Sequence, residues 1–240
     1  IAHLPAIVDL QLATHPAFLD GKHLAIYDAQ DRPVARQLLA YKCNTAAWRN
    51  TFLFEAELTP CGIAEYRIEI QEQGDAVVEV NTDASAPEGF IPVDSPELHD
   101  STCRVADHTP WHTADSESIT VRTALLEAKV SRTSGLLTSL RDLQTGNDLL
   151  AAPSGGLLVR ADTNNAWGGE QNAYGDVAET FALPGAADLA AICGHHDGAF
   201  TTPAVRIVAS GPLAVVVEVI SASRRSDART RYTFHRNQSW

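Results

Sequence analysis

The residues best suited to chemistry lie in one short polar stretch, between positions 162 and 174. Sugar sites combine aromatic faces with a few amide and carboxylate groups that bond the hydroxyls. Gly168 and Gly169 would let a ligand approach the backbone closely. The stretch therefore predicts a sugar-binding site, whose candidate residues are Asp162, Asn164, Asn165, Trp167, Glu170, Asn172 and Tyr174. The plainer alternative is that Trp167 packs in a core and the polar residues form turns.

A cluster of two histidines and a carboxylate, His195, His196 and Asp197, has the composition of a metal site. Zinc usually takes three or four His, Cys or carboxylate ligands. Neighbouring residues of a strand point to opposite faces, so His195 and His196 cannot easily share one ion. A polar loop after Gly194 is the favoured interpretation.

A second such cluster contains Asp107, His108 and His112. Histidines four residues apart share a face only in a helix, and Pro110 between them disfavours a helix. We therefore interpret this cluster as part of a loop.

The remaining reactive side chains are scattered. Glu127, Asp142 and Glu179 are isolated carboxylates, expected to be solvated or to cap turns.

The cysteines are Cys43, Cys61, Cys103 and Cys193. They form no C-x-x-C pair, so buried free thiols are favoured, with one or two disulfides as the alternative in a secreted protein. Nucleophile-elbow, phosphate-loop and dinucleotide motifs are absent from the sequence. We predict no catalytic residue, metal or cofactor in this chain.

The composition excludes two classes of partner. The net charge is −12, whereas a nucleic-acid partner requires clustered Lys and Arg. A membrane-spanning helix requires a run of about 18 apolar residues, and the sequence contains none. We predict neither a nucleic-acid nor a membrane partner.

The elements that must position these residues are strands. Apolar and polar residues alternate with a period of two in segments such as 52–58, 66–71 and 126–131, which indicates antiparallel strands with one buried face. Residues 215–217 are three valines, apolar on both faces, and predict a central strand. Helical periodicity is limited to one short turn at 186–192. The predicted fold class is all-β.

The most regular stretch runs from Glu127 to Leu150. It predicts a strand, a tight turn at Ser134–Gly135, a second strand and another turn at Thr145–Gly146–Asn147. After this turn the sequence becomes apolar again at Leu149–Leu150.

Three parts are predicted along the chain. Residues 1–82 form a small β-sandwich, residues 83–117 a Pro-rich crossover, and residues 118–240 the first part of a larger β-domain. The chain lacks an initial Met and finishes within a strand-like pattern. We therefore expect both ends to lie inside a longer polypeptide.

The stretch 125–150 resembles the segment that opens the C-terminal β-domain of glycoside hydrolase family 38 α-mannosidases. The matching pattern is E-x-x-V, a turn, G-x-x-x-S-L-x-D and T-G-x-x-L. Its residues here are Glu127, Val130, Gly135, Ser139, Leu140, Asp142, Thr145, Gly146 and Leu149.

Four further stretches are similar to motifs of that family in the same order. A hairpin motif corresponds to Asp28, Asp31, Val34 and Gln37, and a strand motif to Phe54, Ala56, Pro60, Gly62 and Tyr66. A D-A-W-D motif followed by Tyr corresponds to Asn165, Ala166, Trp167, Gly168 and Tyr174, with both aspartates replaced. The last corresponds to Gly211, Pro212, Glu218 and Val219, followed by Tyr232 and Phe234.

The resemblance implies that the parent enzyme is a retaining exo-α-mannosidase. Its nucleophile, its acid/base carboxylate and a zinc ion would lie in an N-terminal α/β barrel, which this chain does not contain in its sequence. The chain would be a non-catalytic small sandwich followed by part of a galactose-mutarotase-like supersandwich. Its expected partners are that barrel and a mannose-containing glycan, with residues 162–174 at the rim of the glycan site.

Two alternatives remain open. The chain would be a free-standing carbohydrate-binding module if its sugar affinity is centred on Trp167. It would be an aldose-epimerase-like enzyme if His195 or His196 acts as a base together with Glu218.

Overall fold

The computed structural model of the chain describes residues 4–12, 23–44, 47–58, 61–71, 111–161, 175–193, 203–211 and 213–236. In these stretches fourteen strands and one seven-residue helix are present, and the strands form antiparallel sheets. The predicted all-β class is confirmed. No helix among the described residues is long and apolar enough to cross a membrane. We refer to the described residues between 4 and 71 as the first region and to those between 111 and 236 as the second region.

The first region has five strands in two sheets. They are β1 (Leu4–Leu12), β2 (His23–Asp28), β3 (Arg36–Asn44), β4 (Ala47–Leu58) and β5 (Tyr66–Gln71). The strand β4 lies between β1 and β3, with Leu4 opposite Leu58 and Arg36 opposite Phe54. The strands β2 and β5 pair with each other in a separate sheet.

The alternating pattern buries β4 better than β5. Phe54 and Ala56 of β4 are buried, as predicted. In contrast, Ile68 and Ile70 of β5 are 40% and 37% exposed, although the pattern predicted a buried face. The reason is that β5 pairs only with β2 among the described residues, and a two-stranded sheet has little surface to cover.

The second region has nine strands and the helix. The strands are β6 (His112–Ala114), β7 (Ser118–Arg122), β8 (Leu126–Ser131), β9 (Leu137–Asp142), β10 (Leu158–Arg160), β11 (Val177–Thr180), β12 (Val205–Ser210), β13 (Ala214–Ala222) and β14 (Asp227–His235). The helix α1 (Ala186–Ile192) lies where a short helical turn was predicted. The strands form the meanders β6-β7-β8-β9 and β12-β13-β14 and the pair β10-β11.

The core of the second region lies between its two meanders. Buried β-branched residues from β7, β8, β12 and β13 form one cluster, consisting of Ile119, Val121, Val130, Val205, Ile207, Val215, Val217 and Val219. Each such side chain contributes about 1.5–3 kcal/mol when it is fully buried. The two meanders therefore pack as a sandwich.

The strand β13 is buried on both of its faces. Val215, Val217 and Val219 enter the sandwich core, while Ile220 on the opposite face packs against Leu189 and Cys193 at α1. The prediction of a central strand at residues 215–217 is confirmed, because β14 and β12 flank β13 on either side.

The predicted crossover, residues 83–117, is described only from Trp111 onwards. Its last part forms β6, which pairs with β7 and so belongs to a sheet of the second region. The indole N–H of Trp111 donates a 2.8 Å hydrogen bond to the carbonyl of Gly211. This contact anchors the start of the second region to the β12–β13 turn.

Candidate functional site

The predicted sugar-binding residues lie outside the described residues. Asp162, Asn165, Trp167, Glu170 and Tyr174 all fall between β10 and β11, which are described on either side of them. The flanking backbone is closed by hydrogen bonds from the Ala161 N–H to the Asp176 carbonyl and from the Gly175 N–H to the Ala161 carbonyl. The two described ends on either side of this stretch, Ala161 and Gly175, therefore lie next to each other.

The predicted histidine clusters are only partly described. His195, His196, Asp197, Asp107 and His108 lie outside the described residues. His112 is on β6, where its Nδ1 lies 3.2 Å from the hydroxyl of Ser210. Among the described residues, no group of three His, Cys, Asp or Glu is placed to hold a metal ion. Cys61 is an exposed free thiol and Cys193 a buried one.

The first turn of the family-like stretch, between β8 and β9, depends on a glycine. The backbone at Gly135 has φ +71°, a left-handed conformation that residues with a side chain rarely adopt. A Cβ at Gly135 would lie 2.6 Å from Val219 and 2.9 Å from Leu183, well inside contact distance. Gly135 therefore permits both the turn and its packing on β13.

The second turn, after β9, is held by Asp142, as predicted. Its carboxylate accepts a 2.7 Å hydrogen bond from the Gln144 N–H and a 2.9 Å bond from the Thr145 hydroxyl. These two bonds hold the pKa of Asp142 below its usual value. Gly146 follows with φ +76°. The carboxylate therefore acts in the turn rather than in chemistry.

Asp148 has a similar structural role beside β9. It accepts hydrogen bonds from the Ser139 hydroxyl at 2.5 Å and from the N–H groups of Leu140 and Leu150 at 3.1 and 3.0 Å. These bonds, led by that from Ser139, lower the pKa of Asp148. The serine of the family-like motif thus orients a carboxylate that holds two backbone segments together.

Among the described residues, the most buried carboxylate is that of Glu218, in the middle of β13. It is 1% exposed and lies opposite Arg206 of β12 and Arg231 of β14. Its Oε1 accepts a 2.5 Å bond from Arg206, and its Oε2 accepts a 2.9 Å bond from Arg231. Burial alone would raise the pKa of Glu218, but the two guanidinium groups outweigh burial and lower it. A carboxylate held on both oxygens is a poor general base, which argues against the epimerase alternative.

A groove of about 590 Å³ lies in the first region, between the β2–β3 turn, the end of β4 and the start of β5. Its walls carry carboxylates, an aromatic ring and small apolar residues. They are Asp28, Ala29, Gln30, Arg32, Pro33, Val34, Ala35, Glu55, Glu57, Ile63, Ala64, Glu65 and Tyr66. The volume is in the range of small-ligand sites.

Two sets of contacts, one at Tyr66 and one at Asp28, fix the shape of this groove. The Tyr66 hydroxyl accepts a 2.9 Å bond from the Glu57 N–H, and the Tyr66 ring meets the Phe54 ring edge-on at 5.1 Å. On the opposite wall, Asp28 accepts bonds from the N–H groups of Gln30 and Arg32 and pairs with the Arg32 guanidinium at 2.6 Å. Burial opposes these bonds, which nevertheless lower the pKa of Asp28.

The lining of the groove contains groups of the kind that bind polar ligands. Tyr66 contributes an aromatic ring to the lining, and Glu57 and Glu65 are exposed carboxylates, a type of group that can accept hydrogen bonds from hydroxyl groups. The sequence predicted none of these residues as a site, because the alternation placed Glu57 on the solvent side of a strand. The groove forms only where residues 28–35, the end of β4 and residues 63–66 come together in the fold.

Comparisons with protein-family models, with curated proteins and with solved structures found no match to this chain. The family resemblance therefore depends on the motif residues alone.

Proposed function

We propose that this chain is a non-catalytic β-domain of an α-mannosidase-like glycoside hydrolase. It supports a catalytic barrel of the same polypeptide and shapes one wall of a mannoside site. The zinc ion that the resemblance implies would be bound by the barrel, where it would supply charge stabilisation when bound.

The observation that carries this proposal is the conformation of residues 127–149. The two motif glycines, Gly135 and Gly146, lie at the two positions where the backbone is left-handed. The motif carboxylate, Asp142, caps the second turn. Gly135, Asp142 and Gly146 thus each have a physical reason for their places in the two turns, which supports the resemblance at these motif positions.

The roles of three carboxylates, Asp142, Asp148 and Glu218, also support a scaffold. Glycoside hydrolysis uses two carboxyl groups, about 5–10 Å apart, on either side of the scissile bond. Here Asp142 and Asp148 accept backbone hydrogen bonds, and Glu218 is engaged by two arginines. Carboxylates committed in this way stabilise the fold and leave bond cleavage to another part of the enzyme.

The test is a hydrolysis assay with an aryl α-mannoside on the purified chain, followed by titration of the chain with mannose and mannobiose. We expect no cleavage. The upstream coding sequence is expected to encode a barrel with His and Asp ligands. Cleavage by the chain alone, or an upstream sequence without such a barrel, would contradict the proposal.

A carbohydrate-binding module is the second candidate, and the groove at Tyr66 favours it. An aromatic ring beside exposed carboxylates can bind a sugar without any barrel. In this case calorimetry should detect binding of a mannose oligosaccharide to the chain. Tyr66→Ala should abolish that binding, whereas Tyr66→Phe, which keeps the ring, should reduce it less.

The same titration on Trp167→Ala separates the two proposed sugar sites. Loss of binding in Trp167→Ala but not in Tyr66→Ala would place the site at residues 162–174. Loss only in Tyr66→Ala would place it at the groove.

A further inference from the structure

Gln37 of β3 is a fully buried polar residue that reaches from the first region into the second. It is 0% exposed. Its Oε1 accepts hydrogen bonds from the N–H groups of Leu213 and Ala214 at 3.0 and 2.8 Å. Its Nε2 donates a 2.8 Å bond to the Ala214 carbonyl. One side chain therefore makes three bonds to a backbone segment 176 residues away along the chain.

The segment that Gln37 contacts is the turn between β12 and β13. Within the turn, the Gly211 N–H bonds to the Ala214 carbonyl at 3.1 Å. The amide of Gln37 pairs with the backbone as a neighbouring strand would, through one donor and one acceptor. Because buried backbone groups must be paired, Gln37 meets a requirement of the turn.

The surroundings of this contact are apolar and closely packed. Leu53, Leu213 and Ala214 are buried together, with Ala35 packed against them. Residue 211 is a glycine, and a Cβ there would lie 2.5–2.9 Å from the three terminal side-chain atoms of Gln37. Gly211 thus makes room for the amide, and the two residues form a matched pair.

We propose that the Gln37 contact couples the first region to the second, so that loss of the Gln37 amide in β3 loosens the β12–β13 turn of the second region. Trp111 contacts the same turn from the second region through the Gly211 carbonyl. The turn is therefore bonded by a residue of each region, Gln37 of the first and Trp111 of the second. This inference does not depend on the function proposed above.

The first test is amide hydrogen exchange on the whole chain, followed residue by residue by NMR. Gln37→Met keeps the length of the side chain and removes all three hydrogen bonds. We expect the Leu213 and Ala214 amides to exchange at least about tenfold faster, while Val130 in the sandwich core keeps its rate. The matched control is Gln30→Met, at an exposed position of the β2–β3 turn, which should change neither amide.

Gln37→Asn provides a milder version, because its amide is one methylene too short to reach the turn. It should accelerate the hydrogen exchange of the same two amides. If Gln37→Met does not fold, Gln37→Asn serves as the test of the proposal. Unchanged exchange of Leu213 and Ala214 in a folded Gln37 variant would overturn the proposal.

The second test is a double-mutant cycle between Gln37 and Gly211, read from thermal unfolding. Gly211→Ala should lower the Tm of the natural chain, because the added methyl meets the Gln37 amide. In a Gln37→Ala chain the same substitution should cost much less, since the space is then free. An equal loss of Tm in both backgrounds would show that the two residues do not act as a pair.

Discussion

The two regions use the same alternating sequence pattern with different results. In the second region β13 is covered on both faces, and its residues from Ala214 to Ser221 are buried. In the first region β5 belongs to a two-stranded sheet and leaves Ile68 and Ile70 more than one third exposed. The pattern determines which residues share a face, but the number of layers around a strand determines how much that face contributes to stability.

The ion pairs of the two regions differ in the same way. Glu218 and Arg206 in the second region are 1% and 2% exposed, whereas Asp31 and Arg67 in the first region are 79% and 47% exposed. An exposed pair is screened by water and contributes about 0–1 kcal/mol. Removing one partner of a buried pair is far more costly, since the other charge remains in the interior.

The largest expected effect is therefore that of Glu218→Ala. It leaves the buried Arg206 guanidinium without its carboxylate and should lower the free energy of unfolding by about 3–5 kcal/mol. The matched change in the first region, Asp31→Asn, should cost less than about 1 kcal/mol. Urea unfolding of both variants measures the difference, and similar losses would remove the contrast between the regions.

The next effect concerns Gly135 and Gly146, the left-handed glycines of the two turns beside β9. Gly146→Ala should cost about 1 kcal/mol, because only the backbone conformation is strained and the nearest group is 3.7 Å away. Gly135→Ala adds a clash with Val219 and Leu183 and should cost about 2–4 kcal/mol in all. Chemical denaturation gives both values. A loss of unfolding free energy below this range for Gly135→Ala would show that Val219 of β13 can move to accommodate the added methyl group.

Removal of apolar side-chain atoms should lower the free energy of unfolding more in the second region than in the first. Val217→Ala opens space in the sandwich core and should cost about 2 kcal/mol in unfolding free energy. Ile68→Ala removes more atoms but from a half-exposed position, and should cost about 1 kcal/mol or less. If Ile68→Ala proved the more damaging in urea titrations, the face of β5 would be better covered than its exposure indicates.

A small stabilisation is expected from Cys61→Gly in the first region. Cys61 is exposed and has φ +58°, whereas the left-handed residues described in the second region, Gly135, Gly146 and Gly155, are all glycines. Glycine relieves about 1 kcal/mol of backbone strain but increases the entropy of the unfolded chain. The net gain should be about 0.5 kcal/mol by urea unfolding, and a loss of stability would mean that the thiol has a contact of its own.

The weakest expected effect is the acid dependence that arises from the turn carboxylates. The folded pKa values of Asp142 and Asp148 are lowered, so the unfolded chain binds more protons in acid. Their contribution is complete above the unfolded pKa of about 3.9 and is lost as the pH falls through the folded pKa. Asp142→Asn should reduce the slope of the unfolding free energy against pH below about pH 4. An unchanged slope would exclude Asp142 as a source of the dependence.

Local features could be predicted from the sequence, and distant pairings could not. The β8–turn–β9–turn order followed from residues within a few positions of one another, as did the capping role of Asp142. The Glu218–Arg206 pair joins different strands, and the Gln37 contact spans 176 residues. Neither leaves a sequence pattern, because each depends on how the sheets pack. The groove at Tyr66 was missed for the same reason.

The charged row across β12, β13 and β14 has a consequence for how the chain reaches this fold. A strand composed largely of valines can slide by two residues against its neighbour and still bury apolar side chains. Such a slip would place Glu218 opposite an apolar residue of β12 and leave the buried Arg206 guanidinium without its carboxylate. Several registers of β12 against β13 would bury apolar side chains equally well. The ion pair favours one of them and so disfavours misaligned sheets during folding.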